Sequence, residues 1–101
     1  MNVEKMDKLV FRYIATKKSI KWNEIFENEE EMIDKLLEFI KFDKEIRTNV
    51  WFMMLAKYKK NNLELSEKQI SQIKRNCYII VKRYNLYDDE QKEKLIELLN
   101  K

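Results

Sequence analysis

Three cations stand seven residues apart in the second half of the chain. Lys68, Arg75 and Lys82 share one side of a helix, because seven residues make nearly two helical turns. Tyr78 and Ile79 fall within the same arc, which predicts a line of positive charge with one aromatic and one aliphatic neighbour. Such a face suits phosphates, stacked bases or an acidic groove in a protein.

The segment around this row holds the largest charge excess of the chain. Residues 57–84 carry eight positive and two negative charges, whereas the net charge of the whole chain is only +3. We therefore predict a binding surface for an acidic macromolecular partner, and the competing interpretation is a solvated face without function. The predicted surface consists of Lys57, Lys59, Lys60, Lys68, Arg75, Tyr78, Ile79 and Lys82.

The residue types that enzymes use for catalysis are scarce. The sequence has no histidine and no glycine, which removes the commonest general base, the commonest metal ligand and any glycine-rich phosphate loop. Cys77 is the only cysteine, and its place on an apolar stripe predicts an inert core residue. The acidic clusters at 29–31 and 88–90 stand at helix starts, where the helix dipole explains them. We predict no enzymatic activity, catalytic residue, metal or cofactor.

A second candidate surface is the apolar run from Val50 to Ala56. Seven apolar residues at 100° each pass all the way round a helix, which predicts a helix buried on every side. In the alternative interpretation Trp51 or Phe52 protrudes into a partner or a second copy of the chain, so a homodimer is left open. The run is too short for a bilayer, which takes about 20 residues, and we predict no membrane span. The single cysteine favours a reducing compartment, and we predict a cytoplasmic location.

Hydrophobic periodicity and the absence of glycine and proline predict helices and no strands. Continuous helices are expected over residues 44–60 and from Ser66 to about Tyr84. Short connections make neighbouring helices antiparallel. The predicted fold is all-α: a compact antiparallel bundle of four long helices plus one short helix near Trp22, forming a single helical domain over residues 1–101.

Several polar residues locate the helix ends. Asn2, Asn28, Ser66 and Asp88 are predicted N-caps, and the last two have a glutamine three residues later, which completes a capping box. Asp43 falls on the apolar face of its helix and is interpreted as a helix break or the cap of the next helix.

Asn85 is predicted to take the left-handed conformation that ends a helix. Ile14 is placed on the apolar face of the first helix, together with Met6, Leu9, Val10 and Tyr13.

The N-terminal half carries a weak pattern of its own. The spacing of apolar residues in 9–14, 20–26 and 32–40 resembles the three-helix core of winged-helix DNA-binding domains, over fewer than half of the residues. The resemblance implies DNA binding by the third helix. The chain departs from the pattern twice: no strand-forming wing follows, and the third helix opens with three glutamates, which phosphates repel.

We expect a non-enzymatic helical binding protein: an inhibitor, adaptor or accessory subunit acting by stoichiometric contact with a protein or protein–nucleic-acid complex. Abundant Lys, Ile and Asn are typical of AT-rich genomes, which favours a phage or mobile-element origin. The alternative is a small nucleic-acid-binding regulator with a helix-turn-helix-like N-terminal half. A third class is bacteriocin immunity proteins, which are often basic helical bundles and to which this chain is similar in size and charge.

Overall fold

Eight helices and no strand make up residues 3–100, the part of the chain that the computed structural model describes. The all-α prediction is confirmed for these residues, while the expected cap Asn2 lies outside them. The helices are α1 (Val3–Thr16), α2 (Trp22–Ile25), α3 (Glu29–Phe42), α4 (Lys44–Arg47), α5 (Val50–Lys60), α6 (Glu67–Asn76), α7 (Tyr78–Leu86) and α8 (Asp89–Leu99).

These helices are shorter and more numerous than four long helices and one short one. The helix expected over 44–60 is interrupted before α5, where the Asn49 side chain accepts hydrogen bonds from the backbone N–H groups of Trp51 (3.0 Å) and Phe52 (3.2 Å). The helix expected after Ser66 is interrupted at Cys77. There the backbone stays right-handed (φ −62°, ψ −22°) and the Cys77 N–H bonds to the carbonyl of Lys74, three residues back.

One hydrophobic core receives side chains from all eight helices. Residues from distant parts of the chain meet there, so no helix buries its apolar face against its sequence neighbours alone. The described residues extend over 36, 27 and 23 Å along their three principal axes. The largest fully buried side chains include Tyr84, Phe26, Phe39, Phe52 and Met6.

Helices α5 and α6 form an antiparallel pair. The Asn49 side-chain amide donates to Asn76 Oδ1 (3.2 Å), which joins the start of α5 to the end of α6. At the other end the Gln69 amide donates to the Tyr58 hydroxyl (3.1 Å), which joins the end of α5 to the start of α6. The short connection between them predicts this arrangement.

Asp43 is the one buried charged residue among residues 3–100. It ends α3 and its carboxylate accepts from the N–H of Glu45 (2.8 Å) at the start of α4, as expected of a break or cap. The same carboxylate accepts from Arg83 Nε (2.9 Å) and from the Tyr87 hydroxyl. Burial by itself would raise the pKa of Asp43, but these hydrogen bonds outweigh it and hold the pKa below its ordinary value.

The end of α7 differs from the prediction. The helix continues through Asn85 to Leu86, and Tyr87 then takes an extended conformation (φ −74°, ψ 142°). Within the described part of the chain, only Lys17 and Asn62 have positive φ. The prediction of a left-handed Asn85 is therefore wrong. The extended backbone at Tyr87 instead allows its phenol to reach Asp43.

Two predictions of burial are also wrong. On α5, Phe52 and Leu55 are fully buried, but Val50 is 68% and Met53 54% exposed, so the helix is not covered on every side. On α1, Ile14 is 55% exposed although it was placed on the apolar face. In both helices the apolar side chains extend over more of the helix circumference than the neighbouring helices cover, so those at the edge stay exposed.

The capping box at the start of α6 is confirmed. The Gln69 N–H donates to Ser66 Oγ (3.2 Å), and the Ser66 N–H donates to Gln69 Oε1 (2.8 Å). Asn28 and Asp88 likewise accept from backbone N–H groups at the starts of α3 and α8. These ends depend only on local hydrogen bonds.

Replacing Ser66 with Ala should lower the free energy of unfolding by about 1 kcal/mol, because the Gln69 N–H loses its acceptor. The control is Ser71→Ala in the exposed middle of the same helix, where we expect a change within about 0.5 kcal/mol. Urea denaturation followed by circular dichroism measures both. Equal effects of the two substitutions would contradict the assigned helix start.

Candidate functional site

The eight cations of the basic segment fall into two groups. Lys74 Nζ lies 2.9 Å from Glu29 Oε2 and Arg83 Nε lies 2.9 Å from Asp43 Oδ2, so these two are paired inside the fold. The other six are exposed and pair with no carboxylate among residues 3–100. We call these six the basic face: Lys57, Lys59, Lys60, Lys68, Arg75 and Lys82.

The antiparallel α5–α6 pair brings separate parts of the basic face together. Because Tyr58 bonds to Gln69, the last turn of α5 with its three lysines lies beside the first turn of α6, which carries Lys68. Further along, Lys82 Nζ lies 5.9 Å from the centre of the Tyr78 ring, a cation–π contact. The structure therefore places Lys68 beside the cluster from α5. The prediction that Lys68, Arg75 and Lys82 lie along one helix is wrong, because Lys82 is on α7, beyond the break at Cys77, where it contacts Tyr78.

The expected exposure of Ile79 is wrong. This side chain is partly buried and packs against the core, whereas the sequence suggested that it had no core to enter. Tyr78 is also partly buried. Helix α7 packs against both α1 and α4, and a helical wheel drawn for one segment cannot show two neighbours from elsewhere in the chain. The exposed residues of the predicted surface are its six cations.

Of the two residues predicted to form an apolar interface, Trp51 and Phe52, only Trp51 reaches the surface in part. Phe52 is fully buried, and Trp51 is partly buried and packed against the core. A protruding Phe52 is therefore wrong. The apolar side chains of α5 that do reach the surface are Val50 and Met53, which lie three residues apart and so are neighbours on the helix.

Cys77 has the surroundings of a structural residue. It is fully buried, and its Sγ donates to the carbonyl of Ile73 at 3.4 Å. Burial raises the pKa of the thiol to about 12, which keeps it protonated at neutral pH. Residues 3–100 contain no group of three or more acidic or cysteine side chains that could hold a metal ion. The absence of enzymatic activity stays a prediction.

Cys77 should react with a thiol reagent at neutral pH at least about a hundredfold more slowly in the folded protein than in urea, because labelling requires local opening. The time course of thiol release with a chromogenic disulfide measures both rates. Equal rates in the two states would contradict its buried position.

The surface beside α3 is acidic. A groove of about 430 Å³ runs along this helix and is lined by four carboxylates and one lysine: Glu30, Glu31, Asp34, Glu38 and Lys35. Phosphates would be repelled there. Residues 50–60, where a wing would follow, form a helix. These observations argue against insertion of α3 into a DNA groove.

A cleft between the segment 19–23 and α6 is a feature that the sequence prediction missed. We call it the Trp22 cleft; its volume is about 320 Å³. Lys74 Nζ lies 4.4 Å from the centre of the Trp22 ring while it pairs with Glu29, which holds α2 against α6. The cleft is lined by Ser19, Ile20, Lys21, Trp22, Asn23, Ser71, Lys74 and Arg75.

A second cleft of about 360 Å³ continues from the first and shares Ser19, Ile20 and Lys21 with it. Its one carboxylate, Glu24, pairs with Arg12 Nη2 at 2.6 Å and accepts from the Lys21 N–H at 2.8 Å. The backbone N–H of Lys21 and the guanidinium of Arg12 hold the pKa of Glu24 below its ordinary value. The carboxylate is therefore already engaged.

Comparison with protein-family models, with curated proteins and with solved structures finds no match to this chain. Among the described helices, none combines the length and the apolar character that crossing a bilayer requires. A function therefore has to be inferred from the charges, clefts and exposed side chains of the chain itself.

The sequence held a partial signal for the Trp22 cleft. Trp22 directly follows Lys21 and comes four residues after Lys18, a combination of aromatic and basic residues that often contacts anions. Arg75 was already part of the predicted surface, and Lys74 flanked it. What the sequence could not show is that these two groups meet, because they lie far apart along the chain and only the packing of α2 on α6 joins them.

Proposed function

We propose that this protein works by stoichiometric contact with an acidic macromolecular partner, either a protein or a protein–nucleic-acid complex, as an inhibitor, adaptor or accessory subunit. The basic face forms the contact. The observation that carries the proposal is that six exposed cations are concentrated within residues 57–82 and pair with no carboxylate among residues 3–100, whereas the neighbouring Lys74 and Arg83 both form ion pairs.

The unpaired cations contribute little to folding. Exposed charges of this kind add only about 0–1 kcal/mol each even when they are paired, and like charges on adjacent helices repel one another. An acidic partner would relieve this repulsion and would be attracted from a distance, which speeds association and selects against basic competitors. Electrostatic complementarity is therefore the mechanism of recognition that we propose.

The proposal is tested with tagged full-length protein as bait in a lysate of its host, with and without nuclease treatment. We expect a captured macromolecule of acidic isoelectric point that persists at about 150 mM salt, where exposed charges are already screened beyond about 8 Å. The variant in which Lys68, Arg75 and Lys82 are replaced by Glu should no longer capture this macromolecule. Capture that is unchanged in this variant would contradict the proposal.

The same experiment separates the two other classes. Captured material that contains nucleic acid but no protein, disappears after nuclease treatment and weakens steeply with salt across many sequences would indicate a direct nucleic-acid regulator instead. An immunity function would appear only as survival of cells that express the protein and are challenged with the toxin.

A further inference from the structure

We propose that the Trp22 cleft is a phosphate site for the backbone of a single nucleic-acid strand carried by the acidic partner. The inference deepens the proposed function and rests on it, because it names the chemistry of that partner. It also adds Lys21 and Ser71 to the binding residues, which lie outside the basic face.

Five of the eight side chains that line the cleft carry hydrogen-bond donors that find no protein acceptor among residues 3–100. Lys21 and Arg75 supply cations, Ser19 and Ser71 supply hydroxyls, and Asn23 supplies an amide. Within residues 3–100, none of these five side chains takes part in an internal hydrogen bond or ion pair. Converging donors with no acceptor of their own fit an acceptor-rich ligand.

The charge balance of the site is positive because both nearby carboxylates are neutralised. Glu29 pairs with Lys74 at 2.9 Å, and Glu24 pairs with Arg12 at 2.6 Å. In the lining of the cleft, Lys21 and Arg75 form no ion pair among residues 3–100, although the charge of Lys21 helps to hold the pKa of Glu24 down. An anion that enters the cleft therefore meets attraction from two cations and no unpaired carboxylate from its lining.

A phosphodiester suits the combination of an arginine, a lysine and two serine hydroxyls in this cleft. The arginine fork and serine hydroxyls match phosphate oxygens, which are the usual targets of such side chains in nucleic-acid complexes. The volume of about 320 Å³ accommodates a small ligand unit, and the partly exposed indole of Trp22 gives an aromatic surface for a sugar or base.

The second cleft favours a strand over an isolated anion. It shares Ser19 and Lys21 with the first and adds Lys18, which pairs with no carboxylate among residues 3–100. Two adjoining basic clefts suit an anion that repeats along a flexible chain. The acidic surface beside α3 would repel the phosphate backbones of a duplex, which is wider than a single strand. The ligand of the two clefts is therefore a single strand.

The test uses the full-length Trp51→Phe variant, in which Trp22 is the only tryptophan, and two probes: a thymidine oligonucleotide and poly-L-glutamate with the same number of charges. Trp22 emission and fluorescence anisotropy of the labelled probes report binding, and circular dichroism confirms that each variant is folded. Lys21→Gln is compared with Lys8→Gln, an exposed lysine on α1. Ser71→Ala removes a hydroxyl without changing charge.

We expect the oligonucleotide to change the Trp22 emission. Its affinity should fall roughly tenfold in Lys21→Gln and about threefold in Ser71→Ala, and should stay within about twofold in Lys8→Gln. The slope of log K against log salt should decrease by about 0.7 in Lys21→Gln, which corresponds to one phosphate contact to a single strand. Poly-L-glutamate should be indifferent to Ser71→Ala.

Failure of this inference differs from failure of the proposed function. If the oligonucleotide does not bind, or if Lys21→Gln and Ser71→Ala leave its affinity unchanged, the Trp22 cleft is not a phosphate site. If Lys21→Gln and Ser71→Ala weaken the binding of poly-L-glutamate as much as that of the oligonucleotide, the assignment of the cleft to phosphate is overturned as well. The double variant Lys68→Gln/Lys82→Gln tests the basic face separately: weaker binding of both polyanions supports the proposed function, and unchanged binding of both contradicts it.

Discussion

Replacing Asp43 with Ala is expected to lower the free energy of unfolding by about 3 kcal/mol, the largest effect of any single substitution considered for this protein. Asp43 is 5% exposed, and its carboxylate accepts hydrogen bonds from the backbone of Glu45, from Arg83 and from the Tyr87 hydroxyl. Its removal takes away the cap of α4 and leaves both side-chain donors without an acceptor.

The size of this effect comes from the partners that remain. Tyr87 is only 7% exposed, so its hydroxyl would stay buried without an acceptor, which costs about 1–3 kcal/mol. The Arg83 side chain is 28% exposed, so water compensates part of its loss. The lost cap adds about 1 kcal/mol. Urea denaturation followed by circular dichroism measures the total.

Two variants separate these contributions. Asp43→Asn keeps an acceptor for the cap but loses the charge, and should cost roughly half as much as Asp43→Ala. Asp34→Ala removes an exposed carboxylate from α3 and should change stability by less than about 0.5 kcal/mol. A loss in Asp43→Ala no larger than that in Asp34→Ala would contradict the role of Asp43 as a hub between helices.

The stability difference between wild type and Asp43→Asn should depend on pH. The pKa of Asp43 is lower in the folded protein than its ordinary value of 3.8, so folding favours the ionised form. Its contribution is fully present above pH 3.8 and is lost as the pH falls from there through the folded pKa. Denaturation curves of the two proteins should therefore differ at neutral pH and converge as the pH falls from 3.8 through the folded pKa of Asp43.

Reversing the charges of Lys68, Arg75 and Lys82 to Glu should abolish partner binding while the protein stays folded. All three side chains are exposed and pair with no carboxylate among residues 3–100, so the free energy of unfolding should change by less than about 1 kcal/mol. Affinity should fall at least about a hundredfold, because repulsion replaces attraction at several contacts. Retention of the captured partner on the immobilised variant measures this loss.

The matched control reverses Lys8, Lys44 and Lys94, three exposed lysines outside the basic face. Lys94 pairs with Glu90 in a contact where both side chains are mostly exposed, so its reversal should cost little stability. The control carries the same change in net charge and should keep the partner. If both variants bind equally well, the basic face is a solvated surface and the exposed Val50 and Met53 become the leading candidate contact.

Local hydrogen bonding allowed several helix boundaries to be predicted from the sequence. Ser66, Asp88 and Asn28 begin helices because their side chains accept N–H groups two or three residues away, and Asp43 separates two helices for the same reason. The exposure of the six cations of the basic face was also foreseeable, since lysine and arginine are mostly exposed in folded proteins. None of this depends on where distant helices lie.

Burial and proximity, in contrast, were decided by the tertiary structure. Ile79 enters the core because α1 and α4 pack on its helix, and Met53 stays exposed because no helix covers that side of α5. Tyr87 leaves the helical conformation to reach Asp43, 44 residues away, which overrides the local preference of Asn85. The Trp22 cleft exists only where α2 meets α6. Periodicity identifies which side chains are apolar or charged, but only the packing of distant segments determines which of them meet.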